Sequence, residues 1–196
     1  MHKLSFIDRF HHWRRKMRWN KQYKKGKWSY LNDERESSRY HKIVDYIKTY
    51  ATTNPSILDL GAGEAVLNQR LNKNEYKTFF NVDFSSASID IAKTKKLENS
   101  VNLVADIHTY TPDETFDVIV FNEAFYYVHN DLKQDVLDRF IGKLNSEGIL
   151  IVSIYKEGTD CWELIDASSK IQQLNFEKVA TDRESTYWKV GVYKKV

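Results

Sequence analysis

A chain of 196 residues holds one domain with a sizeable core, and 41% hydrophobic with 29% charged residues describes a folded chain rather than a disordered one. No stretch approaches the ~18 consecutive apolar residues of a bilayer span, and His2, Lys3, Asp8 and Arg9 interrupt what would otherwise read as the core of a secretion signal. The net charge of +3 hides a division: residues 1–27 carry ten Lys or Arg against Asp8 alone, which makes them +9 and leaves −6 for the rest.

Leu4, Ile7, Phe10, Trp13 and Met17 recur at helical spacing with Arg and Lys on the other faces, predicting a basic amphipathic helix. Its apolar stripe is expected to pack on the body. The segment reads as a lid over an acceptor, as a strip for an anionic membrane surface, or as a contact for nucleic-acid phosphates. Gly26-Lys27-Trp28-Ser29-Tyr30-Leu31 and Arg39-Tyr40 follow, rich in aromatic groups. Residues 1–40 form one expected unit, a helical arm or lid, and 41–196 the other.

From residue 41 onward, apolar runs alternate with helical patterns, which predicts a parallel sheet with helices on both faces. Ile43 to Tyr50 reads as the end of a helix, closed by Asn54-Pro55. The first strand is expected at 56–60, then a helix over 64–71 burying Val66, Leu67 and Leu71, and a second strand at 78–82. Ser85 or Ser86 caps a helix to about Leu97 that buries Ile89 and Ala92 or Ile91. Strands at 101–104 and 117–122 have Thr111-Pro112-Asp113 as a turn between them, so their crossover helix is short or missing. Asp131 is the expected cap of a helix carrying Leu132, Val136, Leu137, Phe140 and Leu144, with Asn145 to Gly148 as its stop. A strand at 149–154 and a helix over 161–171 precede two strands, 174–180 and 186–194, joined at Asp182-Arg183-Glu184 as a hairpin. The fold class is α/β, Rossmann-like: seven strands, mostly parallel with a C-terminal antiparallel hairpin, plus the N-terminal helical extension.

The run Ile57-Leu58-Asp59-Leu60-Gly61-Ala62-Gly63-Glu64-Ala65 carries the most chemistry. It reads as a buried strand breaking into a glycine loop, where the lack of Cβ lets the chain turn tightly and a ligand approach the backbone. Asp83, twenty residues past Gly63, ends the second strand, where a carboxylate reaches ribose hydroxyls. The pair indicates a nucleoside cofactor. The third glycine of a dinucleotide fingerprint would fall at Val66, which counts against NAD or FAD.

Leu58-Asp59-Leu60-Gly61-Ala62-Gly63-Glu64, Asn81-Val82-Asp83-Phe84-Ser85, Val104-Ala105-Asp106-Ile107 and Phe116-Asp117-Val118-Ile119-Val120-Phe121-Asn122-Glu123 follow one another as in class I S-adenosylmethionine-dependent methyltransferases. From about residue 40 the sequence resembles that family. Ala65 departs from it, because members often carry a further glycine there. The resemblance implies S-adenosylmethionine as cofactor and S-adenosylhomocysteine as product. It implies that Asp59 serves the cofactor's amino-acid end, the alternative being a carboxylate that ties the loop together. Asp83 would accept from both ribose hydroxyls, and Phe84 would pack on the adenine unless it is core. Asp106 would accept from the adenine amino group with the Ile107 N–H on a ring nitrogen, the alternative being turn chemistry. Asn122 closes the cofactor set.

The Asn-Pro-Pro-Tyr type signature of amino-methylating nucleic-acid enzymes is absent at 122–125, so the resemblance is to members acting on small molecules. Glu123, Tyr126 and Tyr127 would then line the methionine end and the acceptor pocket. Glu123 and His129 are the candidate bases, against readings in which Glu123 orients backbone amides and His129 opens the Asn130-Asp131 turn. Trp28, Tyr30, Arg39 and Tyr40, with Tyr23 beside them, are the expected acceptor-binding residues. No metal is expected.

The functional expectation is methyl transfer to an oxygen or nitrogen of a metabolite or sugar-containing intermediate, by a monomer or homodimer. The rivals are an RNA or protein methyltransferase docking through the basic arm, and a non-catalytic module on the same scaffold. Cys161, the single cysteine, permits no internal disulfide and fits a cytoplasmic setting.

Overall fold

The computed structural model describes residues 6–28, 30, 34–181 and 185–196. Leu4, Ser29, Leu31, the Ile7 side chain and the expected turn at Asp182-Arg183-Glu184 lie outside the described parts. Two helices lead, α1 (Phe6–Lys24) and α2 (Glu34–Tyr50). There follow β1 (Ser56–Leu60), β2 (Thr78–Asp83), α3 (Ser86–Thr94), β3 (Ser100–Val104), β4 (Phe116–Asn122), α4 (Asn130–Gly142), β5 (Leu144–Tyr155), α5 (Thr159–Asp166), β6 (Ile171–Ala180) and β7 (Tyr187–Lys195). The strands form one sheet in the order β3-β2-β1-β4-β5-β7-β6, parallel except for the antiparallel pairs that β7 makes with β5 and β6. Chain order reverses beside β1, which opens a crevice at the carboxyl ends of β1 and β4.

Alternation along the central strands makes two apolar faces. Ile57, Val118, Val120, Ile149 and Ile151 meet Ile43, Tyr46 and Ile47 of α2. Leu58, Leu60, Ile119, Phe121 and Leu150 lie under Val136, Leu137 and Phe140 of α4 and Trp162 and Ile165 of α5. The division expected at residue 40 falls inside α2, whose second half is part of this core.

Several expectations are corrected. Residues 64–71 do not form a helix: turns lead into a single 3-10 turn at Asn68–Arg70. Gly63 at φ 54° and Ala65 at φ 59° are left-handed, which breaks the right-handed hydrogen-bond ladder before it starts. Val66, Leu67 and Leu71 are buried all the same. The cap of α4 is His129, whose ring nitrogen accepts from the Asp131 N–H, and not Asp131. Asn145 to Gly148 is no stop but an irregularity within β5, where the register jumps from Phe116↔Leu144 to Val118↔Ile149. Ser85 does cap α3, accepting from the Ser88 N–H, and α3 ends three residues early, at Thr94. α5 covers Thr159–Asp166, and β6 already begins at Ile171, within the segment expected to be helical.

Candidate functional site

The carboxyl ends of β1, β2 and β4 and the turn after β3 surround a cavity of about 470 Å³. Gly61 and Ala62 donate backbone N–H bonds to the Val82 carbonyl, at 2.9 and 3.1 Å, fixing the loop against β2. Gly61 sits at φ +83°, and a Cβ there would lie 2.7 Å from the Ala124 Cβ and 2.9 Å from the Asn122 carbonyl oxygen. Asp83 accepts from the Gly63 N–H at 3.0 Å and the Ser85 N–H at 2.8 Å. Burial pushes its pKa up, and those two amides pull against the shift. Each oxygen keeps lone pairs for further donors.

At the other end of the cavity, the Asp106 carboxylate accepts from the His108 ring at 2.8 Å, from the His108 N–H at 3.0 Å, and from His12 of α1. Burial opposes ionisation, but the bonds from His108 and His12 outweigh it and hold Asp106 well below the usual carboxylate range. His108 Nε2 takes the His129 N–H at 3.2 Å, so its Nδ1 carries the proton donated to Asp106. The three side chains are close enough to hold an ion, yet both His108 nitrogens already have hydrogen-bond partners.

Across β4, the Arg39 guanidinium is buried with Asn122, Glu36 (3.1 Å) and the Tyr40 hydroxyl (2.8 Å) as acceptors, and lies 4.0 Å from the Tyr40 ring centroid. Burial alone would lower its pKa; Tyr40, Glu123 and Glu36 overcome that and raise it. Glu123 holds φ at 55°, off the end of β4. Its carboxylate accepts from the Ser153 hydroxyl (2.8 Å), the Tyr155 N–H (3.1 Å) and the Tyr126 hydroxyl (3.2 Å). Burial raises its pKa against the pull of Arg39 and these donors. Asp59 lies beneath the loop, fully buried, and neither carboxylate oxygen has a hydrogen-bond partner among the described residues. Burial lifts it to about 7, opposed by the nearby Asn122 and Arg39.

A family model described as a methyltransferase domain matches residues 51–190. The chain belongs to that family. Among relatives of this methyltransferase-domain chain, the malonyl-[acyl-carrier protein] O-methyltransferase of Bacillus anthracis is 31% identical over 123 residues, 61% of this chain and 45% of that protein. The carboxy-S-adenosyl-L-methionine synthase of Hydrogenovibrio crunogenus is 31% identical over 133 residues, 63% of this chain and 53% of that protein. The chain thus spans about half the length of these relatives. Two solved structures share the fold. The 1,6-didemethyltoxoflavin-N1-methyltransferase of Burkholderia thailandensis gives a TM-score of 0.77 at 13% identity, covering 100% of this chain and 93% of that one. The N-methyltransferase NodS of Bradyrhizobium japonicum gives 0.72 at 17%, covering 84% and 90%.

In this methyltransferase domain α1 forms the cavity's roof. Tyr23 reaches down until its hydroxyl lies 2.7 Å from where a Gly63 Cβ would be. Trp19 stacks on Trp28 at 4.6 Å and 3°, with Phe84 and Tyr127 edge-on to it. Arg15 donates to the Tyr127 carbonyl at 2.8 Å. The expected residues Trp28, Tyr30, Arg39 and Tyr40 line the same cavity as Gly61, Gly63, Asp83 and Phe84. Asp106, Ile107, Asn122, Glu123, Tyr126 and Tyr127 line it too. Asp59 sits below its floor, and His129 faces a neighbouring cavity, its ring 3.6 Å from Asp8.

His12, Arg15 and Trp19 were not among the expected site residues, because the apolar stripe of Leu4, Ile7, Phe10, Trp13 and Met17 dominates the pattern of α1. The signal was the second stripe, His12, Arg15, Trp19 and Tyr23, at spacings of three and four. Tyr155 and Trp188, also in the wall, are cross-strand partners at the end of β5.

Proposed function

We propose that the chain is an S-adenosylmethionine-dependent methyltransferase acting on an oxygen or nitrogen of a small molecule. The observation that carries this is the convergence of Gly61–Gly63, Asp83, Asp106 and Asn122 on one cavity of about 470 Å³, within the size range of small-ligand sites. In this reading Asp83 takes the ribose hydroxyls and Asp106 the adenine amino group, with Phe84 along the ring and the Ile107 N–H on a ring nitrogen. The buried Arg39 cation serves the cofactor's carboxylate, and the buried Asp59, whose oxygens have no close hydrogen-bond partner among the described residues, serves its ammonium, through water or directly.

Methyl transfer is an in-line displacement, so the protein aligns the acceptor and, for a hydroxyl or ammonium, removes a proton. Glu123 lines the cavity beside Arg39 and Tyr126 and in this reading takes that proton. His129, spent on the α4 cap outside the cavity, is given no part. The aromatic faces of Tyr40, Tyr126 and Trp188 suit a sulfonium or a flat acceptor. The roof of α1 favours a small acceptor over a polymer. A cytoplasmic setting belongs to the same reading and is supported by the free, buried Cys161 thiol.

Thermal melting with S-adenosylmethionine, S-adenosylhomocysteine and NAD in parallel tests the cofactor. Stabilisation by the first two and not by NAD is expected. Stabilisation by NAD alone, or by none of the three, overturns the proposal.

A further inference from the structure

Helix α1 has two unlike faces. Inward, His12, Arg15, Trp19 and Tyr23 make the roof of the cavity. Outward, Phe10, Trp13 and Met17 remain 48%, 56% and 52% exposed. The described part of the stripe expected to pack on the body therefore points away from it. Phe10 and Trp13 stack with their centroids 5.9 Å apart, and with Met17 they form one ridge along the helix. Arg14, Arg18, Lys21 and Lys24 are exposed beside it, the Arg14 guanidinium 5.9 Å from the Phe10 centroid. No Asp or Glu interrupts the chain between Asp8 and Asp33.

We propose that this outer face docks on an anionic phospholipid surface. An apolar ridge gains by leaving water, and the cations beside it gain by meeting phosphates. A bilayer boundary offers both together, hydrocarbon at the depth of the ridge and headgroup charge at its flanks. Nucleic acid would engage the cations and stack on Trp13, but it leaves Met17 without a partner. A second copy of the chain would bring the same cations against one another across a two-fold axis. No described helix is long and apolar enough to cross a membrane, so the contact is peripheral. The docking stands apart from the methyl-transfer reading, since none of Phe10, Trp13 and Met17 lines the cavity.

Co-sedimentation of the full chain with vesicles of phosphatidylcholine, and of phosphatidylcholine mixed equally with phosphatidylglycerol, tests it. Binding to the anionic vesicles is expected to exceed binding to the neutral ones by about tenfold or more and to weaken as salt rises. Phe10→Ser, Trp13→Ser and Met17→Ser together should remove most of it with the melting temperature little changed. If that triple variant does not fold, Arg14→Glu with Lys21→Glu, both at exposed positions, should lower the binding by about tenfold. Equal binding to the two vesicles, or none, overturns the proposal. So does tight binding to a single-stranded RNA homopolymer that persists in the triple variant while vesicle binding is absent. Concentration-dependent dimerisation that the triple variant abolishes would assign the ridge to a second copy and equally overturn it.

Discussion

The floor of the cavity is made where strands end, and backbone geometry holds it. Gly61 and Ala62 are pinned to Val82, Asp83 is pinned to the amides of Gly63 and Ser85, and two left-handed glycines bring the chain close. The roof is made of side chains. Its polar ties to the body, among the described residues, include His12 to Asp106, Arg15 to the Tyr127 carbonyl, Asn20 to the Ser85 hydroxyl at 2.7 Å and to the Ala87 N–H at 3.3 Å, and Asp8 beside His129 at 3.6 Å. The contrast separates a floor fixed by the sheet from a covering whose chemistry can change without disturbing the core. Substitutions in the floor should cost stability or catalysis heavily, and those in the roof should cost little stability.

The largest effect is expected at Glu123. Once an acceptor is in hand, Glu123→Gln should lower kcat by about 10²–10⁴-fold. Because burial raises the Glu123 pKa and a base works deprotonated, activity should rise with pH through a value higher than that of an ordinary glutamate. A variant with unchanged kcat removes Glu123 from proton transfer and leaves it a scaffold for Ser153 and Tyr155. Next comes Gly61→Ala. The new Cβ meets Ala124 at 2.7 Å and the Asn122 carbonyl oxygen at 2.9 Å, and the cost in chemical denaturation should be about 2–4 kcal/mol. A loss under about 0.5 kcal/mol would show that the floor yields as easily as the roof.

Asp59 sharpens the comparison through pH. Its folded pKa is raised to about 7 by burial, above its unfolded value. The folded chain thus holds the proton more tightly, and its contribution to stability is full below about pH 4 and is lost as pH rises through about 7. Asp59→Asn should remove that slope, with a difference from the parent that grows across this window to a few kcal/mol. Parallel stability profiles for the two proteins would mean that Asp59 has a partner in solution. The smallest effect belongs to the roof: His12→Ala should change stability by less than about 1 kcal/mol, as for a partly exposed pair. A larger loss would make α1 part of the core rather than a cover.

The sheet was legible because its signals are local. Val118 to Phe121 is a continuous apolar run, Ile57 to Leu60 is apolar apart from Asp59, and an acidic residue closes β2. The missing helix at 64–71 was not legible, because Ala65 gives no sign that it adopts the left-handed conformation glycine prefers. The floor residues followed from strand ends. The roof did not, because His12 meets Asp106 across 94 residues and Arg15 meets Tyr127 across 112, and only the folded chain brings them together. The orientation of α1 was not legible because both of its faces carry aromatic side chains: Phe10 and Trp13 stay outside with Met17, while Trp19 and Tyr23 cover the cavity with His12 and Arg15.

Calorimetric titration of the chain and of Asp83→Ala with S-adenosylhomocysteine tests the floor's role most directly. The parent should bind one equivalent. The variant, while still folded, should bind about 100-fold more weakly, the loss of two hydrogen bonds to a charged group. Equal affinity in the two proteins, or no binding by the parent, would contradict the account.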